Sequence, residues 1–255
     1  MSANGPPSYL GGYVQAGAKW GRALRDVLFP PVCVHCAQLV EDSRYEHICL
    51  SCAARIDLVA SPHCDTCGYP FAGVLAGDRT CPHCEELVPV FRAGKTAALY
   101  RGPMASLVQR LKYHRGEYLG VDIARVAEAA PGFREFLRGA ILVPVPLHRR
   151  KERERGFNQT RLIASAFAKA ADGAAVVSAL QRVVDTATQT RLDRDARRAN
   201  LKNAFALAPG RALTPGARIV LVDDIFTTGA TLNACASVLR KAGFDNLEVA
   251  TLAHG

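Results

Sequence analysis

Ile219 to Leu232, IVLVDDIFTTGATL, joins an apolar run, two adjacent carboxylates, two spacer residues and a threonine-rich turn around one glycine. The apolar run does not alternate with polar residues, which predicts a strand buried on both faces, as in a parallel sheet. Gly229 permits a tight turn, and the amides of Thr228, Gly229, Ala230 and Thr231 can point into one concavity at the start of a helix. The helix N-terminus there adds positive potential suited to a phosphate. Hydroxyls of Thr227, Thr228 and Thr231 add donors, and Asp223 and Asp224 can accept hydrogen bonds from vicinal ribose hydroxyls. The stretch therefore reads as a holder for a phosphorylated ribose. The competing reading is a plain strand-to-helix cap beside a surface acidic pair.

Outward from this stretch, strand and helix patterns alternate from about residue 95 to the C-terminus. TAALY, AILVPVPL, ARIVLVDDI and LEVATLA read as strands, and AAVVSALQRVV as a strand with flanks. PMASLVQRLKYH, YLGVDIARVAEAA, NQTRLIASAFAKAA and TLNACASVLRKAG read as helices. Apolar strands separated by amphipathic helices predict a doubly wound α/β domain over 95–255, its parallel sheet covered on both faces. Ligands of such sheets bind beyond the carboxyl ends of the strands, where the loaded loops fall. Cys235 lies in the last helix among small apolar residues and reads as a buried hydrophobe.

Eight of the nine cysteines lie in residues 29–90 as C-x2-C pairs: Cys33 and Cys36, Cys49 and Cys52, Cys64 and Cys67, Cys81 and Cys84. Two intervening residues let a tight knuckle turn both sulfurs toward one ion, and two knuckles complete the tetrahedral shell of zinc. Two structural zinc ions are expected, with no open position for catalysis. The simplest pairing groups the first four cysteines and the last four; a crossed pairing stays open. Disulfides and iron–sulfur clusters are the rival uses. His35, His47, His63 and His83 are expected outside the ligand set. Metals are expected to replace a hydrophobic core in this polar, turn-rich segment. Upstream, in an N-terminal extension over 1–28, Val14, Trp20, Leu24, Val27 and Leu28 fit one face of a packing helix.

Two further segments carry charge. After the strand AILVPVPL come Arg149, Arg150, Lys151, Arg153 and Arg155, then Gly156, Phe157, Asn158 and Gln159. Such a loop offers cations and amides to a diphosphate, with Arg149, Arg150 and Arg155 as candidates; a solvated helical turn laced by Glu152 and Glu154 is the alternative. Arg182 to Lys202 has no clear apolar face but contains Arg191, Arg194, Arg197 and Arg198, and reads as a mobile cover. Lys112, Tyr113, His114 and Arg115 suit a phosphate, a nucleic acid or simply a helix end.

VDDIFTTGATL resembles the signature of type I phosphoribosyltransferases, which bind 5-phosphoribosyl 1-diphosphate. With the paired knuckles, LKYHRGE, VPVP with RGFNQ, and TATQTRLDRDARRANLKNAF, the chain from Phe29 to His254 is similar to the ComF family of competence-associated phosphoribosyltransferase-like proteins. The resemblance implies a type I phosphoribosyltransferase-like sheet behind a Cys-rich double zinc ribbon. It also implies that Asp223 and Asp224 hold the ribose 2- and 3-hydroxyls, that Thr227 to Thr231 cradle the 5-phosphate, and that magnesium accompanies the ribosyl diphosphate. Hypoxanthine-guanine enzymes of that class carry an acid at the place of Thr227, so threonine argues against that substrate. Some members of the family are tied to single-stranded DNA during transformation. Two functions follow: a phosphoribosyltransferase with Asp223 and Asp224 at the reaction centre and an unknown acceptor, or an adaptor for single-stranded DNA or DNA-uptake proteins that retains the sugar-phosphate pocket.

The bulk numbers agree with either. A chain of 255 residues, 49% hydrophobic and 22% charged, is ordinary for a soluble protein. No window is long and apolar enough for a bilayer crossing, and no secretory pattern opens the chain, so a cytoplasmic location without membrane insertion is expected. A net charge of +9 favours polyanionic partners or phosphorylated small molecules. Oligomeric state is not legible.

Overall fold

The computed structural model describes residues 30–71, 79–113, 115–184, 203–210 and 213–255. The expected N-terminal helix, the 185–202 part of the basic cover and His114 lie outside them. Within them a five-stranded sheet runs β1 (Ala93–Leu99), β7 (Leu247–His254), β6 (Ile219–Phe226), β2 (Ile141–Pro144), β3 (Ala175–Val176) in spatial order, and every pairing is parallel. β6 and β7 are the long central strands. β7 is buried along its whole length, and Ile219 to Val222 of β6 have no exposed surface.

The unalternating apolar run explains this placement, because both faces of the sheet are covered. Val220 and Val222 point into one core with Leu107, Leu111, Ile123, Phe133 and Phe167, while Ile219 and Leu221 point into the other with Leu232, Cys235, Ala236 and Leu239. Each fully buried aliphatic side chain contributes about 1.5–3 kcal/mol, so these four residues anchor the sheet from both sides. The first core is closed by α3 (Gly102–Tyr113), α4 (Gly120–Ala129), α5 (Phe133–Leu137) and α7 (Gln159–Ala170). α3 buries Met104, Leu107, Val108 and Leu111, the helical spacing seen in the sequence. α7 starts at Asn158, whose side chain accepts from the Thr160 amide at 3.0 Å. The second core lies under α8 (Ala230–Lys241).

Two expectations need correction. AAVVSALQRVV is not one strand. Ala175–Val176 pairs with β2 at the sheet edge, and Leu180–Arg182 (β4) turns away to form an antiparallel hairpin with Phe205–Leu207 (β5). Ala179 and Leu180 are drawn into the second core, which redirects the chain. RRKERER is not a loop but a seven-residue helix, α6 (Arg149–Arg155), with no buried residue. Its Arg150–Glu154 ion pair, 3.0 Å at i,i+4 spacing, is the helical lacing that charge alternation offers.

The cysteine-rich segment contains two short helices, α1 (Leu50–Ala53) and α2 (Pro82–Leu87), and it does not stand apart from the sheet. Cys33, Tyr45, Ile48, Cys49 and Cys52 belong to the first core and Cys64, Cys67, Cys81, Cys84 and Leu87 to the second, so the metals add to a shared core instead of replacing one. The link between the two knuckle pairs lies along β1: Leu58 bridges Ala98 in antiparallel fashion, and the Val59 amide donates to the Ala97 carbonyl at 3.0 Å. That covers an otherwise open sheet edge. Next to it the Gly94 amide donates to the Asp65 carbonyl, and the Thr96 hydroxyl to the Cys67 carbonyl, both at 2.9 Å.

The contact at Gly94 is close enough to demand glycine. A Cβ there would fall 2.2 Å from the Thr66 carbonyl oxygen and 2.5 Å from Val249 Cγ2. Gly94→Ala is expected to destabilise the fold by about 1–3 kcal/mol, the range of core overpacking. Thermal unfolding of the zinc-loaded chain checks this, and a melting point equal to the parent's would show that the knuckle is not seated on β1.

Candidate functional site

The eight cysteine sulfurs form two groups, Cys33, Cys36, Cys49, Cys52 and Cys64, Cys67, Cys81, Cys84, in each of which all sulfurs lie within 4.8 Å of one another. The crossed pairing left open by the sequence is thereby excluded. Sulfur pairs stand 3.6 Å apart at Cys36–Cys49 and 3.8 Å at Cys67–Cys81. A tetrahedral zinc with bonds of about 2.3 Å has an edge of about 3.8 Å, so the donor sets fit that ion and no pair has disulfide geometry. Helix starts finish each site: Cys49 and Cys81 are the N-cap residues of α1 and α2.

The histidines among the cysteines have other work. His47 donates its backbone amide to Asp122 Oδ1 at 2.9 Å and places Nδ1 2.8 Å from Asp122 Oδ2. Asp122 is fully buried in α4, and the first ribbon supplies its carboxylate with this paired contact. His35 sits between Ser106, 2.8 Å from Nδ1, and Arg55, 2.6 Å from Nε2. Asp122 drew no notice in the sequence, although an acid on the apolar face of a helix is a signal that a partner must come from elsewhere.

Asp223 and Asp224 lie in the carboxyl half of β6, and beyond its end comes a turn in which Gly229 takes φ +67° and caps α8. Thr227 is exposed, Thr228 and Thr231 are half-buried, and the Thr228 hydroxyl accepts weakly from the Ala230 amide at 3.4 Å. Here too glycine is obligatory. A Cβ on Gly229 would meet Phe226 Cζ at 2.6 Å and Leu87 Cδ2 at 2.7 Å. Leu87 belongs to α2, so the second ribbon is a wall of this turn, and the Val90 amide, just beyond α2, donates to Asn233 Oδ1 of α8 at 2.8 Å.

Asp224, 6% exposed, is held on both oxygens. Lys112 Nζ of α3 lies 3.0 Å from Oδ1, and Gln159 Nε2 of α7 donates to Oδ2 at 3.2 Å. Removing one partner of a buried pair of this kind costs about 3–5 kcal/mol. Three segments that looked separate in sequence, LKYH, RGFNQ and VDD, therefore meet at one carboxylate. Lys112 and Gln159 stood in segments that the sequence offered to a phosphate and a diphosphate, but neither was expected at the acidic pair; Lys112 is in the last turn of α3 and Gln159 in the first of α7. Asp223 accepts the Asp224 amide on Oδ1 at 2.9 Å. Burial, with the Asp224 charge beside it, pushes the Asp223 carboxyl up to about 7, against the opposing pull of Lys112 and Arg182.

Of the basic candidates, Arg149 lines a cavity of about 120 Å³ together with Asn158, Arg161, Gln181 and Arg182. Arg161 and Arg182 were not singled out, since they lie on different elements. Arg150 instead pairs with Glu154, and Arg155 lies over the ring of Tyr113 at 5.7 Å, with Tyr113 70% exposed. A larger cavity of about 830 Å³ runs along α8 against Phe205 and Leu207, but neither Asp223 nor Asp224 lines it. The chemistry concentrates at the strand end. On the other side of it His254 stacks on Phe226, centroids 5.1 Å apart, and burial drives its pKa down to about 4, so it is neutral at physiological pH. Cys235 is fully buried and its thiol is pushed up by burial, in keeping with a packing role.

An acid whose folded pKa is raised favours folding while it is protonated. Stability is greatest below the unfolded value near 4 and is lost as pH rises through about 7. Asp223→Asn, which cannot ionise, should therefore raise the melting temperature at pH 8 and lose that advantage by about pH 4. Thermal melts across this range test it; a constant offset would mean that Asp223 is not the titrating group. Metal analysis should return two zinc ions per chain, and Cys64→Ser should remove one of them.

Residues 24–85 match the double zinc ribbon domain family, and residues 155–255 match the phosphoribosyl transferase domain family. The chain is 30% identical to competence protein F of Haemophilus influenzae over 226 residues, which cover 87% of this chain and 96% of that protein. It is 32% identical to DNA utilization protein YhgH of Salmonella typhimurium over 79% of its length and 88% of the relative's. Competence protein ComFC of Bacillus subtilis is 25% identical, with 78% of this chain and 80% of that protein covered. Among the described residues no helix is long and apolar enough to cross a membrane.

Proposed function

We propose that this chain, which belongs to the ComF family, serves DNA uptake and does so through a site for 5-phosphoribosyl 1-diphosphate, bound as its magnesium complex at the end of β6. The observation that carries the reading is the adjacent Asp223–Asp224 pair near the end of a buried parallel strand, followed after Ile225 and Phe226 by the threonine-rich turn that starts α8. Thr227, Thr228, Gly229, Ala230 and Thr231 would receive the 5-phosphate, since backbone donors and the helix N-terminus favour an anion. The carboxylates would receive the ribose hydroxyls. For the diphosphate we assign Arg149, with Arg161 and Arg182 around the same small cavity; Arg150 is paired with Glu154 and Arg155 lies over Tyr113. Magnesium, a hard cation with oxygen ligands, would arrive on the diphosphate. The sugar site then belongs to the 95–255 part of the chain, while the 29–90 part supplies Leu87 as its wall.

Chemically, transfer would break the bond from ribose C1 to the diphosphate, build positive charge on the sugar, and join C1 to an acceptor that loses a proton. A carboxylate pair beneath the sugar stabilises such charge, so positioning and electrostatics would carry the rate and no protein nucleophile is needed. Thr227, exposed where hypoxanthine-guanine enzymes of the class carry an acid, speaks against a hypoxanthine-type acceptor.

A second reading, an adaptor for single-stranded DNA, is favoured by one observation: exposed Tyr113 under Arg155, beside the basic helix α6, offers a stacking face in a cationic setting. Calorimetry separates the two. Magnesium-dependent binding of ribosyl diphosphate should be lost in Asp223→Ala with Asp224→Ala, and unaltered binding in that double variant would overturn the assignment. Arg161→Ala should weaken ribosyl diphosphate about tenfold while leaving ribose 5-phosphate unchanged. Salt-dependent oligonucleotide binding that survives loss of both acids but not of Tyr113 would favour the adaptor.

A further inference from the structure

We infer that Leu87 is a positioning residue of the phosphate turn, and that the second zinc site, acting through it, sets the affinity of that turn for a sugar phosphate while the first does not. The inference rests on the sugar-phosphate reading above and names the part of the cysteine-rich segment on which that site depends.

Gly229 is buried at φ +67°, and the amides of Ala230 and Thr231 follow it at the start of α8. Glycine enters such a conformation freely and leaves it as freely, so the turn keeps its amides together only if its surroundings fix it. The Thr228 hydroxyl reaches the Ala230 amide only at 3.4 Å. Packing fixes the turn instead. The position that a Cβ of Gly229 would take is closed off by Phe226 Cζ at 2.6 Å and Leu87 Cδ2 at 2.7 Å. Phe226 belongs to β6 itself, whereas Leu87, 7% exposed, comes from the second ribbon. Leu87 and Ala230 also both line the cavity of about 830 Å³ along α8. A shorter side chain at position 87 would let the turn relax toward that space, and amides that are not preorganised bind an anion more weakly.

The second group of cysteines places Leu87. α2 has six residues, too few for a stable helix in isolation. It starts from Cys81, its N-cap, and carries Cys84 one turn before Leu87, so two of the four sulfurs of that group lie on it. Held on one ion, these sulfurs fix the helix and with it the leucine. Val88 then takes φ +46°, a left-handed conformation that is strained for a β-branched residue. The reversal brings the Val90 amide to Asn233 Oδ1 in the first turn of α8, 2.8 Å away. Leu87 and Val90 thus grip the turn and the helix it opens from one ribbon. The first ribbon is clasped elsewhere, by Ser106 of α3 and Asp122 of α4, over the other core.

Calorimetric titration of the full zinc-loaded chain with ribose 5-phosphate provides the test. Leu87→Ala should keep two zinc ions and bind ribose 5-phosphate about tenfold more weakly than the parent, the scale of one hydrogen bond to an anion. Leu87→Met, close in volume, should bind like the parent. Magnesium diphosphate, assigned to the Arg149 cavity, should bind equally to all three. Parent-like affinity for ribose 5-phosphate in Leu87→Ala, or equal weakening of both probes, would overturn the inference. Coupling between two sites is reciprocal, so a second measurement needs no change at position 87. At equilibrium with a zinc chelator, ribose 5-phosphate should raise the chelator concentration that removes one of the two ions by about fivefold and leave the other unmoved. The protected ion should persist in Cys36→Ser, which disables the first site. Protection of both ions, of neither, or of the first alone would overturn the inference even if Leu87→Ala does not fold. Absence of ribose 5-phosphate binding by the parent protein would instead sink the sugar-phosphate reading on which it rests.

Discussion

Two carboxylates in sequence at the end of a doubly covered strand are the constraint around which this molecule is arranged. Asp224 is almost wholly withdrawn from water, and an unpaired charge in that position would cost more than most single contacts return. The fold answers with Lys112 from α3, after β1, and Gln159 from α7, in the crossover between β2 and β3, so two crossover units are tied to the central strand at its functional end. Asp223 is answered differently. Among the described residues no cation is placed directly on it, and its carboxyl stays up near 7, which leaves a group poised to respond to whatever ligand or metal approaches.

Much of the frame was legible in the sequence for one physical reason: burial on both faces removes alternation, and Ile219–Val222 and Leu247–Ala253 have none. The cysteine spacing was equally readable because a knuckle is a local device. What escaped were the meetings between distant segments. Lys112 and Gln159 lie 47 residues apart in sequence and neither belongs to a local motif with its own geometry; only the crossover topology brings them to Asp224. Arg161 and Arg182 were missed for the same reason, while the dense RRKERER run attracted attention that its exposed helix does not reward. The turn inside AAVVSALQRVV was hidden because Ala179 and Leu180 are as apolar as the strand they leave.

The ribbons repay closer comparison with each other. The first is joined to the helical face by polar contacts, His47 with Asp122 and His35 with Ser106, which are directional and local. The second is joined through backbone and close packing: Asp65 and Cys67 carbonyls on β1, Leu87 against the turn before α8, Val90 on Asn233. Polar clasps tolerate small displacement, whereas a turn whose glycine leaves no space for a methyl group does not. A metal in the second site is accordingly closer, mechanically, to the sugar pocket than its structural chemistry suggests.

The approach of Thr66 to Gly94 carries a historical implication. Zinc ribbons and sugar-phosphate sheets are each found as self-sufficient modules, and a simple fusion would leave a linker and two finished surfaces. Here the surface of one is the missing side chain of the other: the sheet edge is completed by the segment between the knuckles, and β1 is emptied at Gly94 to let the knuckle in. Shuffling either part into another chain would expose a bare strand and a hollow. The two have become a single heritable unit, in which change on one side is admissible only when matched on the other.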